Sequence, residues 1–182
     1  MKTCIYWLKT DQERGRTEER LSRAVAKYLD ICPTSPRLAV SRDGRGRPGL
    51  PLLPGVFSSV SHSGGIWLCA LAGRPVGVDL QAARPCPREQ IAERFFHPQE
   101  LVYLKAQDFE DFFKIWTAKE SFVKLTGRGM FPGFGDFSAV SQGEISSRIS
   151  GVRLAFPEFL PGFLLCVAGG DGEIELYELN EM

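Results

Sequence analysis

Apolar positions along the chain follow two periods. At 4–8 (CIYWL), 56–61 (VFSSVS), 66–73 (IWLCALAG) and 75–81 (PVGVDLQ) they form short runs separated by turn residues such as HSGG and GRP, which predicts strands. Leu21, Ala24, Val25, Tyr28 and Leu29 recur instead at helical spacing. They predict a helix from about Thr17 to Leu29, with Thr17 as its cap and Glu18 and Glu19 in the first turn, where the helix dipole favours acids. CPTSP (32–36) stops that helix, and 37–51 reads as a strand followed by a Gly- and Arg-rich loop. A helix is predicted over 88–96. Another opens at His97-Pro98-Gln99-Glu100 and runs to about Lys105, and a long one spans Asp108 to Gly127. The rest (137–142, 151–156, 163–168, 173–179) reads as short strands with Gly and Pro turns. LCALAG at 68–73 and LCVAGG at 165–170 form a faint internal echo.

The longest helix poses a physical problem. Phe112, Trp116, Glu120 and Lys124 share one face, and Ile115, Ala118, Phe122 and Leu125 line the next. A helix so apolar around its girth is buried on more than one side. A lone carboxylate there would cost several kcal/mol, roughly the penalty for desolvating an ion. Glu120 therefore requires a compensating cation: Lys124 one turn on, or a divalent ion shared with Asp79.

Composition narrows the classes. Basic and acidic side chains balance at 22 each, which argues against bulk binding to nucleic acid or an anionic membrane. No apolar run approaches the roughly 20 residues of a membrane span, and MKTCIYWLKTDQERGR has too short an apolar stretch for a signal peptide. Five cysteines (Cys4, Cys32, Cys69, Cys86, Cys166) without a CxxC pair predict a reduced, cytoplasmic protein without a zinc site.

Asp79 and Gln81 lie two apart on a strand and so leave one face. With a glutamate from a facing helix they would suit magnesium; alone, an Asp at a strand end also reads as a turn or helix cap. Ser61-His62-Ser63-Gly64-Gly65 is dense in donors, and its glycines admit close approach of a ligand. It lacks the G-x-S-x-G pattern of a serine hydrolase, for which His97 would be the other available histidine. Arg42, Arg45 and Arg47 form a positive cluster that reads either as a solvated loop or as a phosphate clamp. Phe131, Phe134 and Phe137 read as core in preference to an exposed docking loop.

In order and spacing, GVD (77–79), FFHPQE (95–100) and WTAKESFVK (116–124) resemble the motifs of 4′-phosphopantetheinyl transferases. GRP (46–48) and SHS (61–63) fall where the larger, surfactin-synthetase type has G-K-P and S-H-S, so the resemblance runs from Arg16 into the strand-rich tail. It implies an α+β fold of two similar lobes, each a small, mainly antiparallel sheet packed on a helix, divided into 1–74 and 75–182, with coenzyme A between them. It further implies a monomer that moves the phosphopantetheine arm of coenzyme A to a serine of an apo acyl, aryl or peptidyl carrier protein, using magnesium. Asp79 and Glu120 match the family's metal ligands, with Gln81 where many relatives carry an acid. Lys124 matches the lysine on substrate phosphate. Ser61 and His62 match residues along the coenzyme A phosphates, and Gly46, Arg47 and Pro48 match the nucleotide loop, with Arg42 beside it. Arg16 matches an arginine for the 3′-phosphate, and Glu100 matches the glutamate of F-x-x-x-E. Relative to longer members, the region before the first helix lacks additional phosphate-binding lysines. A non-catalytic binding module of the same fold is the alternative, and a serine hydrolase a more distant one.

Overall fold

The computed structural model describes residues 2–11, 16–44, 46–127 and 133–180. In chain order its elements are β1 (Lys2–Lys9), α1 (Thr17–Leu29), β2 (Ser41–Arg42), β3 (Pro48–Gly49), β4 (Phe57–Ser63), β5 (Ile66–Ala72) and β6 (Val76–Ala82). The helices α2 (Arg88–Phe95), α3 (Pro98–Ala106) and α4 (Phe112–Thr126) follow. The last strands are β7 (Val140–Ser141), β8 (Glu144–Ile145), β9 (Arg148–Ile149), β10 (Val152–Ala155), β11 (Phe163–Gly169) and β12 (Glu173–Glu178). The fold is α+β and divides into two compact units: residues through Val76 together with those from Gly170 on, and Gly77–Gly169.

The first unit is built on a sheet of order β12-β1-β5-β4. Strand β5, an inner strand of this sheet, is buried at every position. Its alternate residues Trp67, Cys69 and Leu71 pack with Tyr6 and Leu8 of β1 and with Leu21, Ala24 and Val25 of α1, so a period of two meets a period of 3.6. Helix α1 begins at the predicted residue, but Thr17 does not cap it. Arg16 holds the cap position in a left-handed conformation, and Thr17 is buried as the first helical residue. Between α1 and β4, where a strand followed by a Gly- and Arg-rich loop was expected over 37–51, the chain forms a 3-10 turn at Pro36–Leu38 and a small β2–β3 hairpin.

The second unit carries a sheet of order β6-β11-β10-β9, with α4 packed on β11. Its core joins Phe112, Ile115, Ala118 and Phe122 to Leu154, Cys166 and Ala168. Helix α4 starts at Phe112 and not at Asp108, because Asp108 and Phe109 both take left-handed backbone angles that a right-handed helix excludes. It ends as expected at Gly127, whose φ of 70° suits a glycine C-cap. Of the predicted segment 137–142 only β7 is strand, paired with β8 in a short hairpin. The echoed segments fall on β5 and β11, each an inner strand of its own sheet.

The tail departs from the sequence reading, which assigned it to the second lobe. Strand β12 pairs in parallel with β1, from Lys2 opposite Glu173 to Trp7 opposite Glu178. Thr3 Oγ1 donates to Asp171 O at 2.9 Å and accepts the Asp171 amide at 2.8 Å, while the Asp171 carboxylate accepts the Gly73 amide at 2.7 Å. Pairing between chain ends leaves no local signal in the sequence.

Candidate active site

Strand alternation places Gly77, Asp79 and Gln81 on one face of β6, while α4 carries Glu120 and Lys124 one turn apart. Lys124 Nζ meets Asp79 Oδ1 at 2.8 Å. Asp79 and Glu120 are both buried, and Glu120 Oε1 is enclosed without a hydrogen-bond partner. Burial, with the Asp79 charge beside it, pushes the Glu120 carboxyl up to about 7, and Lys124 offsets only part of this. Lys124 thus gives its short contact to Asp79 and leaves the Glu120 oxygen unsatisfied. Gln81 donates its amide to Ala82 O at 3.0 Å, which leaves its Oε1 as the atom able to ligate.

This donor set fits a hard cation. Among the described residues no group of three or more His, Cys, Asp or Glu side chains stands ready for a metal. Two carboxylates, one of them orphaned, with an amide oxygen nearby match an ion that fills its remaining positions with water and substrate oxygens, as magnesium does. Any such ion would relieve the Asp79–Glu120 repulsion.

Beside Glu120 on α4 lies a residue to which the sequence reading gave no role. Lys119 is completely buried, and its Nζ donates to both oxygens of the equally buried Glu100 at 2.9 and 2.8 Å and to Phe137 O at 2.6 Å. Rings of Phe137, Phe134 and Phe96 surround the ammonium, with centroids 4.3, 5.1 and 5.7 Å away. Glu100 also accepts the amides of His97 (2.8 Å) and Ala139 (2.6 Å). The start of α3, the middle of α4 and the chain around 137–139 are therefore tied at one charged knot. His97 caps α3, its Nδ1 accepting the Gln99 amide. Phe134 is core, as expected; Phe131 lies outside the described residues.

The phosphate-clamp candidates are in the first unit. The β2–β3 hairpin sets Arg42 opposite Pro48 and turns through Gly46, whose φ of 75° favours glycine. Arg42 contacts Glu18 at 2.6 Å and Gly46 O at 2.7 Å, Arg47 contacts Asp43 at 2.7 Å, and Arg16 contacts Glu19 at 2.6 Å. These pairs are about half exposed. Such pairs are worth little, so their arginines can exchange partners readily. Arg45 lies outside the described residues. Ser61 and His62 sit late on β4, opposite Leu68 and Trp67. Arg20, overlooked in the sequence, is buried in α1 and donates to Thr10 Oγ1 at 2.7 Å; only its place in the packing distinguishes it from the exposed arginines. A recess lined by residues 156–165 contains none of the predicted site residues. No helix among the described residues is long and apolar enough to cross a membrane.

Comparison with known proteins bears on the segment holding Asp79, Glu120 and Lys124. Residues 75–161 match the family model of the 4′-phosphopantetheinyl transferase superfamily. A 4′-phosphopantetheinyl transferase of Bacillus subtilis is 34% identical over 130 residues, covering 69% of this chain and 57% of its own length. The transferase psf-1 of Bacillus pumilus is 38% identical over 133 residues (71% and 56%). The transferase Sfp of Bacillus subtilis (strain 168) is 38% identical over 89 residues (47% and 39%). The chain spans about half the length of the curated relatives it matches. With its motifs on β6 and α4 of one unit, the chain belongs to the 4′-phosphopantetheinyl transferase superfamily.

Proposed function

We propose that the chain transfers the 4′-phosphopantetheine arm of coenzyme A to a serine of an apo acyl, aryl or peptidyl carrier protein, with magnesium as cofactor. The observation that carries this reading is the buried, orphaned Glu120 carboxyl beside the Asp79–Lys124 pair. In the reaction the serine oxygen bonds to the β-phosphorus of coenzyme A, the bond to the adenosine 3′,5′-bisphosphate oxygen breaks, and the serine proton must leave. In this reading Glu120 accepts that proton, directly or through a water it orients. Lys124, which contacts Asp79 at 2.8 Å, turns in this reading toward a phosphate oxygen, a charge-assisted contact in either case. Asp79 and Glu120, with Gln81 or water as third donor, would hold magnesium, which when bound supplies positive charge against the pyrophosphate. Arg16, Arg42, Arg47 and His62, with Ser61, Gly46 and Pro48, form the coenzyme A contacts in this reading. We read the protein as a cytoplasmic monomer, and its five free cysteines support a reducing compartment.

Incubation with coenzyme A, magnesium and an apo carrier protein tests the proposal, by a mass gain of one phosphopantetheine arm on the carrier. Binding of coenzyme A without transfer would favour a non-catalytic module. Arg47→Glu and Arg16→Glu are each expected to weaken coenzyme A binding at least about tenfold more than binding of dephospho-coenzyme A, since a charge-assisted phosphate contact is worth a kcal/mol or more. Equal losses for the two ligands, measured by calorimetry, would remove these arginines from the 3′-phosphate.

A further inference from the structure

Gly77 does not need to be glycine for its backbone, since it is not among the residues with positive φ. It needs to be glycine for space. A Cβ at Gly77 would lie 2.0 Å from Ser121 O, 2.6 Å from Leu125 N and 2.9 Å from Leu125 Cβ. Ser121 O and Leu125 N are acceptor and donor of one α-helical turn, so β6 rests directly on the backbone of α4. The residues just before these two are Glu120 and Lys124. Two residues along the same face of β6, Asp79 reaches Lys124 at 2.8 Å. From its own side chain Ser121 is fixed to β11, its Oγ meeting Cys166 Sγ at 3.2 Å, which resists sliding of the helix.

We infer that Gly77 is a positioning residue: the missing side chain sets the strand-to-helix separation at which Asp79 and Glu120 can share one divalent cation. The inference rests on the magnesium reading above. A methyl group at 77 must move β6 from α4 by roughly 1 Å or more to reach van der Waals distance, and an aspartate then falls short of the shared ion. One added methylene restores roughly 1.3 Å of reach.

The test is Mn²⁺ binding followed by electron paramagnetic resonance, with and without coenzyme A, on the full chain and three variants; metal-free thermal unfolding checks the fold. Gly77→Ala is expected to unfold cooperatively yet bind Mn²⁺ at least about tenfold more weakly, the scale seen when a supporting contact of a metal site is lost. Asp79→Glu alone should also lose affinity, because the longer acid overreaches at the parental separation. The double variant Gly77→Ala/Asp79→Glu should bind at least threefold tighter than Gly77→Ala, by the added reach of roughly one methylene; a role in stability alone predicts no such rescue. Parental affinity in Gly77→Ala, or a double variant no better than the single, overturns the inference. If Gly77→Ala does not fold, Asp79→Glu decides: weakened binding supports a fixed separation, and parental binding refutes it. A parent protein that binds no Mn²⁺ overturns the inference together with the metal reading. One that binds Mn²⁺ but transfers nothing overturns the transferase reading alone.

Discussion

Glu120→Gln will unfold at a higher temperature than the parent at pH 8 without metal, while its transfer activity drops by about 10²- to 10⁴-fold, the usual contribution of a positioned acid–base group. The opposite signs follow from one carboxyl. In the fold its pKa stands at about 7, against an ordinary value of 4.5, chiefly because it is buried and then because Asp79 lies close. A raised carboxyl pKa means that the fold favours the protonated form. That contribution is complete below the unfolded value and is lost as pH rises through about 7. By pH 8 the charged form costs on the order of 3 kcal/mol relative to a neutral isostere. At pH 5 the two proteins should differ little. Magnesium should raise the parent's melting temperature at pH 8 and leave the variant's nearly unchanged, since binding to the native state is what stabilises it. Melting curves with the same pH dependence in both proteins would show that Glu120 is not buried against its charge. Asp79→Ala should lose transfer comparably, because it removes the second acid and the partner of Lys124.

The second large effect is one of stability. Lys119→Met or Glu100→Gln, each alone, should destabilise the protein by about 3–5 kcal/mol in urea unfolding, because each strands a buried charge. Together they should cost less than either alone. The double variant buries no ion, and the glutamine oxygen can still accept one of the amides of His97 and Ala139. Additive losses in the double-mutant cycle would mean that the two charges, 2.8 Å apart, are not coupled.

What the sequence disclosed and what it hid follow one physical division. Helix α1, strand β5 and the Pro98 helix start are local patterns, and they appear where the periodicity put them. Asp79, Glu120 and Lys124 were also legible, because a strand face and a helix face each fix where side chains point, and the structure brings all three together. The start of α4 was not, since left-handed residues at 108 and 109 depend on the turn they make after α3. Lys119 was hidden for a different reason. It reads as one more solvated lysine until Glu100 and Phe137, 19 and 18 residues away, are known to enclose it. Gly77 and Arg20 were missed likewise: a steric gap and a buried guanidinium are properties of neighbours brought by the fold.

The pairing of β12 with β1 has a kinetic consequence. The second unit is one continuous stretch, so its contacts can form as soon as that stretch has left the ribosome. The first unit must wait. Its sheet takes an edge from the far end of the chain, and the Thr3–Asp171 contact closes a loop of 168 residues. Long-range parallel pairing is slow to nucleate because the loop entropy must be overcome before any bond is made. Pulse-labelled hydrogen exchange during refolding should therefore protect the amides of α4 and β11 before those of β1, and simultaneous protection would mean that the two units fold as one. During synthesis, β1 would remain with one side of its backbone unpaired until β12 had emerged, making it the segment most in need of shielding from other nascent chains.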